Sequence, residues 1–182
     1  EMAENGAGYD EALREAQRLG YAEPDPSFDV DGYDAAFKLA ILTSLIFGSW
    51  VDVKKLQVEG VAHLSREDFW FASRLGYTIK PIASARRKSN NDLDLWVGPA
   101  LVKKSHFLAS VGGPTNAIMF EGSPIGTVVY QGQGAGGNPT AASIWSDVVK
   151  VVKSLASNCS PTPPSFANDF QICLPGDSES HY

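Results

Sequence analysis

The chain has 182 residues, 43% hydrophobic and 20% charged, with a net charge of −6 and a pI near 5.0. A length of this order holds one core rather than two full domains, and the composition excludes a disordered or fibrous chain. The acid excess argues against a nucleic-acid-binding face, and the apolar run from Leu39 to Phe47, broken by Thr43 and Ser44, is far short of the ~20 residues that cross a bilayer.

The opening Glu1-Met-Ala-Glu-Asn-Gly6 is acidic and has no apolar core, so it does not read as a signal peptide. With Met in second place, it reads as part of a longer chain. Asp10 to Arg18 is expected to be a short helix stopped at Gly20. Glu23-Pro-Asp-Pro-Ser27 should block helix and strand alike, because each proline fixes φ and disfavours helix in the residue before it. That loop is expected to run to Asp31-Gly32. Tyr33 to Phe47 is the strongest helix, closed by Gly48, with Ala36, Leu39, Ala40, Thr43 and Phe47 on its buried face. Ser65-Arg-Glu-Asp68 has the form of a capping box for a helix through Arg74, ended at Gly76.

The period then changes. Tyr77 to Ala85, Leu93 to Leu101, Asn116 to Phe120 and Gly126 to Tyr130 are rich in strand formers, and Glu121 to Gly126 is the hairpin turn between the last two. A glycine-rich loop, Gln131 to Gly137, leads into an amphipathic helix from Thr140 to Leu155. Residues 158–182 carry the run Pro161-Thr-Pro-Pro164 and read as a Pro-rich linker or tail after a domain spanning 1–157. The expected class is α+β: a mixed, largely antiparallel β-sheet with helices packed on one face. Cys159 and Cys173 make neither a disulfide framework nor a zinc site, and a reducing, cytoplasmic setting is expected.

Charge is unevenly spread: Glu1 to Asp34 holds ten acids against Arg14 and Arg18, and Lys54 to Lys104 holds ten Lys or Arg against five acids. Within the acidic part, Glu23, Asp25, Asp29, Asp31, Asp34 and Lys38 form the first candidate constellation. Asp34 and Lys38 lie four apart on the strong helix and share a face. Acids at a helix start are in part a capping device, so an N-capped helix with one ion pair is the plain reading. The chemical reading is a polar pocket in which carboxylates bind an ammonium-bearing substrate while Lys38 gives or takes a proton at an alcohol oxygen. Asp29-Val-Asp31-Gly32 resembles the centre of a calcium loop, but that register puts Ser27 at the first ligand and Lys38 in place of the chelating Glu, which disqualifies it. No metal site is expected.

The second constellation is Gly132, Gly134, Gly136 and Gly137 before Pro139-Thr140. Such glycines let backbone amides approach an anion or a flat ring, but the spacing is not that of a dinucleotide fingerprint, and a tight strand-to-helix turn explains it equally well. His63, His106 and His181 are scattered without ligand spacing. Trp50, Trp70, Trp96 and Trp145 sit in apolar contexts that suit a core or an interface.

The segments Gly20-Tyr-Ala-Glu23-Pro-Asp-Pro26, Asp29-Val-Asp-Gly-Tyr-Asp34-Ala-Ala-Phe-Lys38, Gly76-Tyr-Thr-Ile-Lys80, Asn116-Ala-Ile118 and Tyr130-Gln-Gly-Gln-Gly-Ala-Gly-Gly-Asn-Pro-Thr140 together resemble the homoserine dehydrogenase family. The likeness runs from Glu1 to about Lys150 in the family's order. It implies reversible hydride transfer between NAD or NADP and the pair homoserine/aspartate 4-semialdehyde. By the resemblance, Lys38 is the acid/base, Glu23 and Asp34 bind substrate, Asp29 belongs to the same pocket, and Gly136 lies at the cofactor. Nothing here matches the Rossmann domain of the family, so the cofactor is expected to be held mainly by a domain absent from this chain, against which the last helix packs. The resemblance further implies a homodimer, and an isolated chain that does not turn over. The rival readings are a non-catalytic amino-acid-binding or oligomerisation domain and a dehydrogenase of another semialdehyde or amino acid.

Overall fold

The computed structural model describes residues 2, 6–88, 92–134, 136–157, 164–166 and 170–172. Helices α1 (Tyr9–Arg18), α2 (Ser27–Val30) and α3 (Tyr33–Phe47) come first, followed by strand β1 (Gln57–Val58) and helix α4 (Arg66–Arg74). Strands β2 (Tyr77–Arg87), β3 (Leu93–Lys103), β4 (Thr115–Gly122) and β5 (Gly126–Gln133) follow, and helix α5 (Gly137–Ala156) is last. The class is α+β, with mixed pairing that is largely antiparallel. The pairing is divided, however, between a three-stranded sheet in the order β1-β3-β2 and the separate hairpin β4-β5. In the first sheet β2 runs antiparallel to β3 over its whole length, whereas β1 is parallel to β3 at Gln57↔Trp96 and Val58↔Val97.

The core forms where α3 lies on that sheet: Ala36, Leu39 and Ala40 meet Val51, Leu56, Leu93, Leu95 and Val97. The buried face of α3 is the expected one, with Ser44 added and Phe47 half-buried at the edge. Ser44 is placed by two bonds, its hydroxyl donating to the Ala40 carbonyl at 2.7 Å and accepting from the Val51 amide at 3.0 Å. Its neighbour Thr43 is buried, and among the described residues its Oγ1 has no hydrogen-bond partner. A desolvated hydroxyl without a partner costs about 1–3 kcal/mol, and valine has the same shape. Thr43→Val is therefore expected to raise stability by about 1 kcal/mol, read as a higher urea midpoint at unchanged slope. A lower midpoint would show that the hydroxyl is satisfied.

Helix α4 starts as its sequence requires. Ser65 and Asp68 form the reciprocal capping box, with the Ser65 amide donating to Asp68 at 2.8 Å. One departure in this half is α2, where an uninterrupted loop was expected. Pro26 tolerates the N-cap because the first turn needs no amide from it, and its carbonyl accepts from Asp29 and Val30 at 3.0 and 2.9 Å. Within the stretch read as a linker or tail, Phe170 and Ile172 pack on the core, Phe166 stacks edge-on against Trp50 at 5.8 Å, and Leu93 bridges to Ile172. Cys159, Cys173 and His181 lie outside the described residues.

Candidate active site

The acidic loop is held by its backbone and leaves its side chains free to face solvent. Gln17 Nε2, from the end of α1, donates to the Glu23 carbonyl at 3.0 Å and to the Pro24 carbonyl at 3.3 Å. Asp25 accepts from the Ser27 amide at 3.1 Å, and the Ser27 hydroxyl and amide hold its carboxyl below the usual carboxylate range. The chain then makes the single turn of α2, which carries Asp29, and enters α3 through Gly32, whose φ of 86° is left-handed. Asp34 stands in the first turn of α3, where the helix dipole favours a carboxylate. One turn later Lys38 reaches back, and its Nζ lies 2.5 Å from Asp34 Oδ2. Both ends are open: the side chains are 62% and 37% exposed.

An exposed i,i+4 pair contributes only about 0.3–0.5 kcal/mol, so this pair is not what holds α3 in place. The sheet does that. The Val61 amide donates to the Val30 carbonyl at 2.9 Å, and the Glu59 amide to the Val97 carbonyl at 2.8 Å. Between them Gly60 presses so close that a Cβ would sit 2.8 Å from the Val30 carbonyl oxygen and 2.9 Å from Asp31 Cα. At Gly32 a Cβ would meet Val58 Cγ1 at 3.2 Å. The turn bearing Asp29 and Asp34 is thus seated backbone to backbone on the edge of the sheet. Tyr9 of α1 belongs to the same surroundings: burial pushes its phenol up, and the charges of Asp31 and Asp10 add to that. Neither Gly60 nor Tyr9 carries a local sequence signal, because their partners are distant in the chain.

The glycine loop has a different support. Gly134 donates to the Pro114 carbonyl at 3.2 Å, and a Cβ at Gly134 would fall 1.8 Å from Asn116 Nδ2. Gly136 has φ 118°, a conformation that favours glycine, and its carbonyl accepts from Thr140 at 3.2 Å as α5 begins. The space where side chains of Gly132 and Gly137 would project is open.

The site residues named from sequence therefore fall into two groups. Side-chain contact joins Asp34 to Lys38. Glu23 and Asp29 enter the same turn by backbone, with exposed side chains, and Gly136 stands on the hairpin side. Beside the acids, Phe28 stacks on Phe37 at 5.7 Å and on Tyr33 at 6.5 Å. His63 pairs with Glu59 at 3.3 Å, and His106 Nδ1 accepts from the Leu108 amide at 3.2 Å. Trp96 is buried, whereas Trp50, Trp70 and Trp145 are exposed. Among the described residues no three His, Cys, Asp or Glu side chains gather to hold a metal ion, and no helix is long and apolar enough to cross a membrane. Chemically, the arrangement offers carboxylates to a cation, an ammonium group to an oxygen one turn away, and uncovered backbone to a flat or anionic ligand.

Residues 1–149 match the sequence family described as homoserine dehydrogenase. The homoserine dehydrogenase of Synechocystis sp. is 46% identical over 160 residues, covering 86% of this chain and 37% of that protein. The crystal structure of a homoserine dehydrogenase from Thiobacillus denitrificans superposes with a TM-score of 0.87 at 38% identity, over 95% of this chain and 41% of that one. A hyperthermophilic archaeal homoserine dehydrogenase mutant in complex with NADPH gives a TM-score of 0.64 at 27% identity, over 82% of this chain and 41% of that one. The chain thus spans well under half the length of these relatives.

Proposed function

The chain belongs to the homoserine dehydrogenase family, and from that premise we propose that it is the substrate-binding, catalytic and dimer-forming part of an NAD(P)-dependent enzyme that interconverts L-homoserine and L-aspartate 4-semialdehyde. The observation that carries the reading is the Asp34–Lys38 pair at the head of α3, fed by the rigid turn that brings in Glu23 and Asp29. The carboxylates of Glu23 and Asp34 bind the substrate ammonium, with Asp29 adding negative charge to the same surface. When bound, the nicotinamide accepts or supplies the hydride. As the neutral amine Lys38 takes the proton of the homoserine hydroxyl while its carbon loses hydride, and in reverse, as the ammonium, it gives a proton to the aldehyde oxygen. The backbone at Gly137 is open to a flat ring, and the neighbouring Gly136 has only the Pro139 ring near it, 3.6 Å from where a Cβ would sit.

In this reading most of the cofactor is held by a Rossmann domain of the same full-length protein. The exposed apolar stripe of Ile144, Val148, Val151, Val152 and Leu155 on α5 supports that assignment, since such a stripe calls for a covering surface. The isolated chain is then inactive, because hydride donor and acceptor are not held together. The active form is a homodimer in the reducing cytoplasm. In the full-length protein Glu23→Gln is expected to raise the homoserine KM at least ~10-fold, since a hydrogen bond to a charged group is worth about 1.5–3 kcal/mol. Steady-state kinetics check it; an unchanged KM would leave Glu23 with no part in binding.

A further inference from the structure

Lys80 has no part in the chemistry above, yet it makes a long-range bond. It lies on β2 opposite Ala100 of β3, half-buried, and its Nζ donates to the Val111 carbonyl at 2.6 Å across 31 residues of chain. Lysine is depleted in strands, and a partly desolvated ammonium needs an acceptor. The acceptor is at an informative place. Val111 closes the short 3-10 helix Phe107–Ser110, which is followed by Gly112-Gly113-Pro114 and then β4. The Thr115 amide donates back to the Gly112 carbonyl at 3.3 Å, and the Pro114 carbonyl receives the Gly134 amide at 3.2 Å. Gly134 in turn lies directly against the Asn116 amide. Because among the described residues no strand pairing links the two sheets, the relative placement of sheet and hairpin depends on ties of this kind.

We propose that Lys80 is a positioning residue, which fixes the turn at Val111–Pro114 and through it Gly134, at the head of the glycine loop that meets the nicotinamide. The proposal rests on the function assigned above for its catalytic half, and on geometry alone for its structural half. Lys80→Met keeps the stem and removes the donor, whereas Lys80→Arg keeps a donor. Both are made in the full-length protein. For Lys80→Met the nucleotide KM is expected to rise at least tenfold with the homoserine KM within twofold, and Lys80→Arg is expected to recover most of the loss. Hydrogen exchange at the Gly134 amide should quicken at least tenfold in Lys80→Met while the β2–β3 ladder keeps its protection.

An unchanged Gly134 exchange rate would overturn the proposal whatever the kinetics. A loss spread equally over both KM values, or shared by Lys80→Arg, would overturn its catalytic half by showing a general effect on the fold. If the unaltered full-length protein failed to oxidise homoserine, the function assigned above would fall, and exchange at Gly134 would still decide whether Lys80 sets the loop.

Discussion

Lys38→Ala in the full-length protein is expected to lower kcat at least ~100-fold, the low end of what a positioned acid or base contributes, while the fold is unchanged. The second half of that expectation comes from the geometry. Lys38 is on the solvent side of α3, it pairs with Asp34 in the same helix, and the buried face of α3 is made by other residues. Losing an exposed i,i+4 pair removes only about 0.3–0.5 kcal/mol, and alanine restores some of that through its helix propensity. A large loss of rate with a preserved unfolding midpoint therefore isolates chemistry from stability. Lys38→Arg separates charge from proton transfer: arginine keeps the positive charge beside Asp34 but does not release a proton in proteins. It is expected to remain as slow as alanine. A variant of either kind that kept most of its turnover would remove Lys38 from the mechanism.

Gly60→Ala is expected to be strongly destabilising for the change of a single methyl group. At this position the obstruction is backbone: the Val30 carbonyl oxygen at 2.8 Å and Asp31 Cα at 2.9 Å. A side chain can rotate away from a clash, but these atoms belong to the turn between α2 and α3, which is already bonded to Val61. Overpacking of this kind costs about 1–3 kcal/mol, and the upper end is expected because the turn must lift off the sheet. Since that turn aims Asp29 and Asp34, the homoserine KM should rise along with the loss of stability. The control is Gly132→Ala, where open space surrounds the added methyl, and the unfolding midpoint should hardly move. Urea unfolding and substrate titration of the two variants check it. Equal midpoints for both would mean that the turn is not clamped by Gly60.

The parts of the fold that were legible in sequence are those whose signals are local. Tyr33–Phe47 announces itself by apolar spacing and a terminal Gly48, Ser65 and Asp68 by their reciprocal caps, and the long strands by runs of β-formers. The elements not foreseen are those defined by distant partners. Strand β1 is two residues long and exists only through its register with Trp96 and Val97. The single turn of α2 stands on bonds to the Pro26 carbonyl, which a proline-rich reading treats as a breaker. The division of the strands into two sheets is likewise invisible to periodicity, which counts strands without pairing them. For the site, spacing alone puts Asp34 and Lys38 on one face, and the likeness to homoserine dehydrogenases picks out Glu23, Asp29 and Gly136. Gly60 and Lys80 were missed because their roles depend on contacts to residues about thirty positions away.

The most direct test of the account is homoserine-dependent reduction of NAD and NADP by the full-length protein that carries this sequence, measured beside the isolated chain. The account predicts reduction of at least one of the two nucleotides by the full-length protein and none by the chain alone. A folded full-length protein that reduced neither would contradict it, leaving the acidic turn and Lys38 as a binding surface for an amino acid without the chemistry.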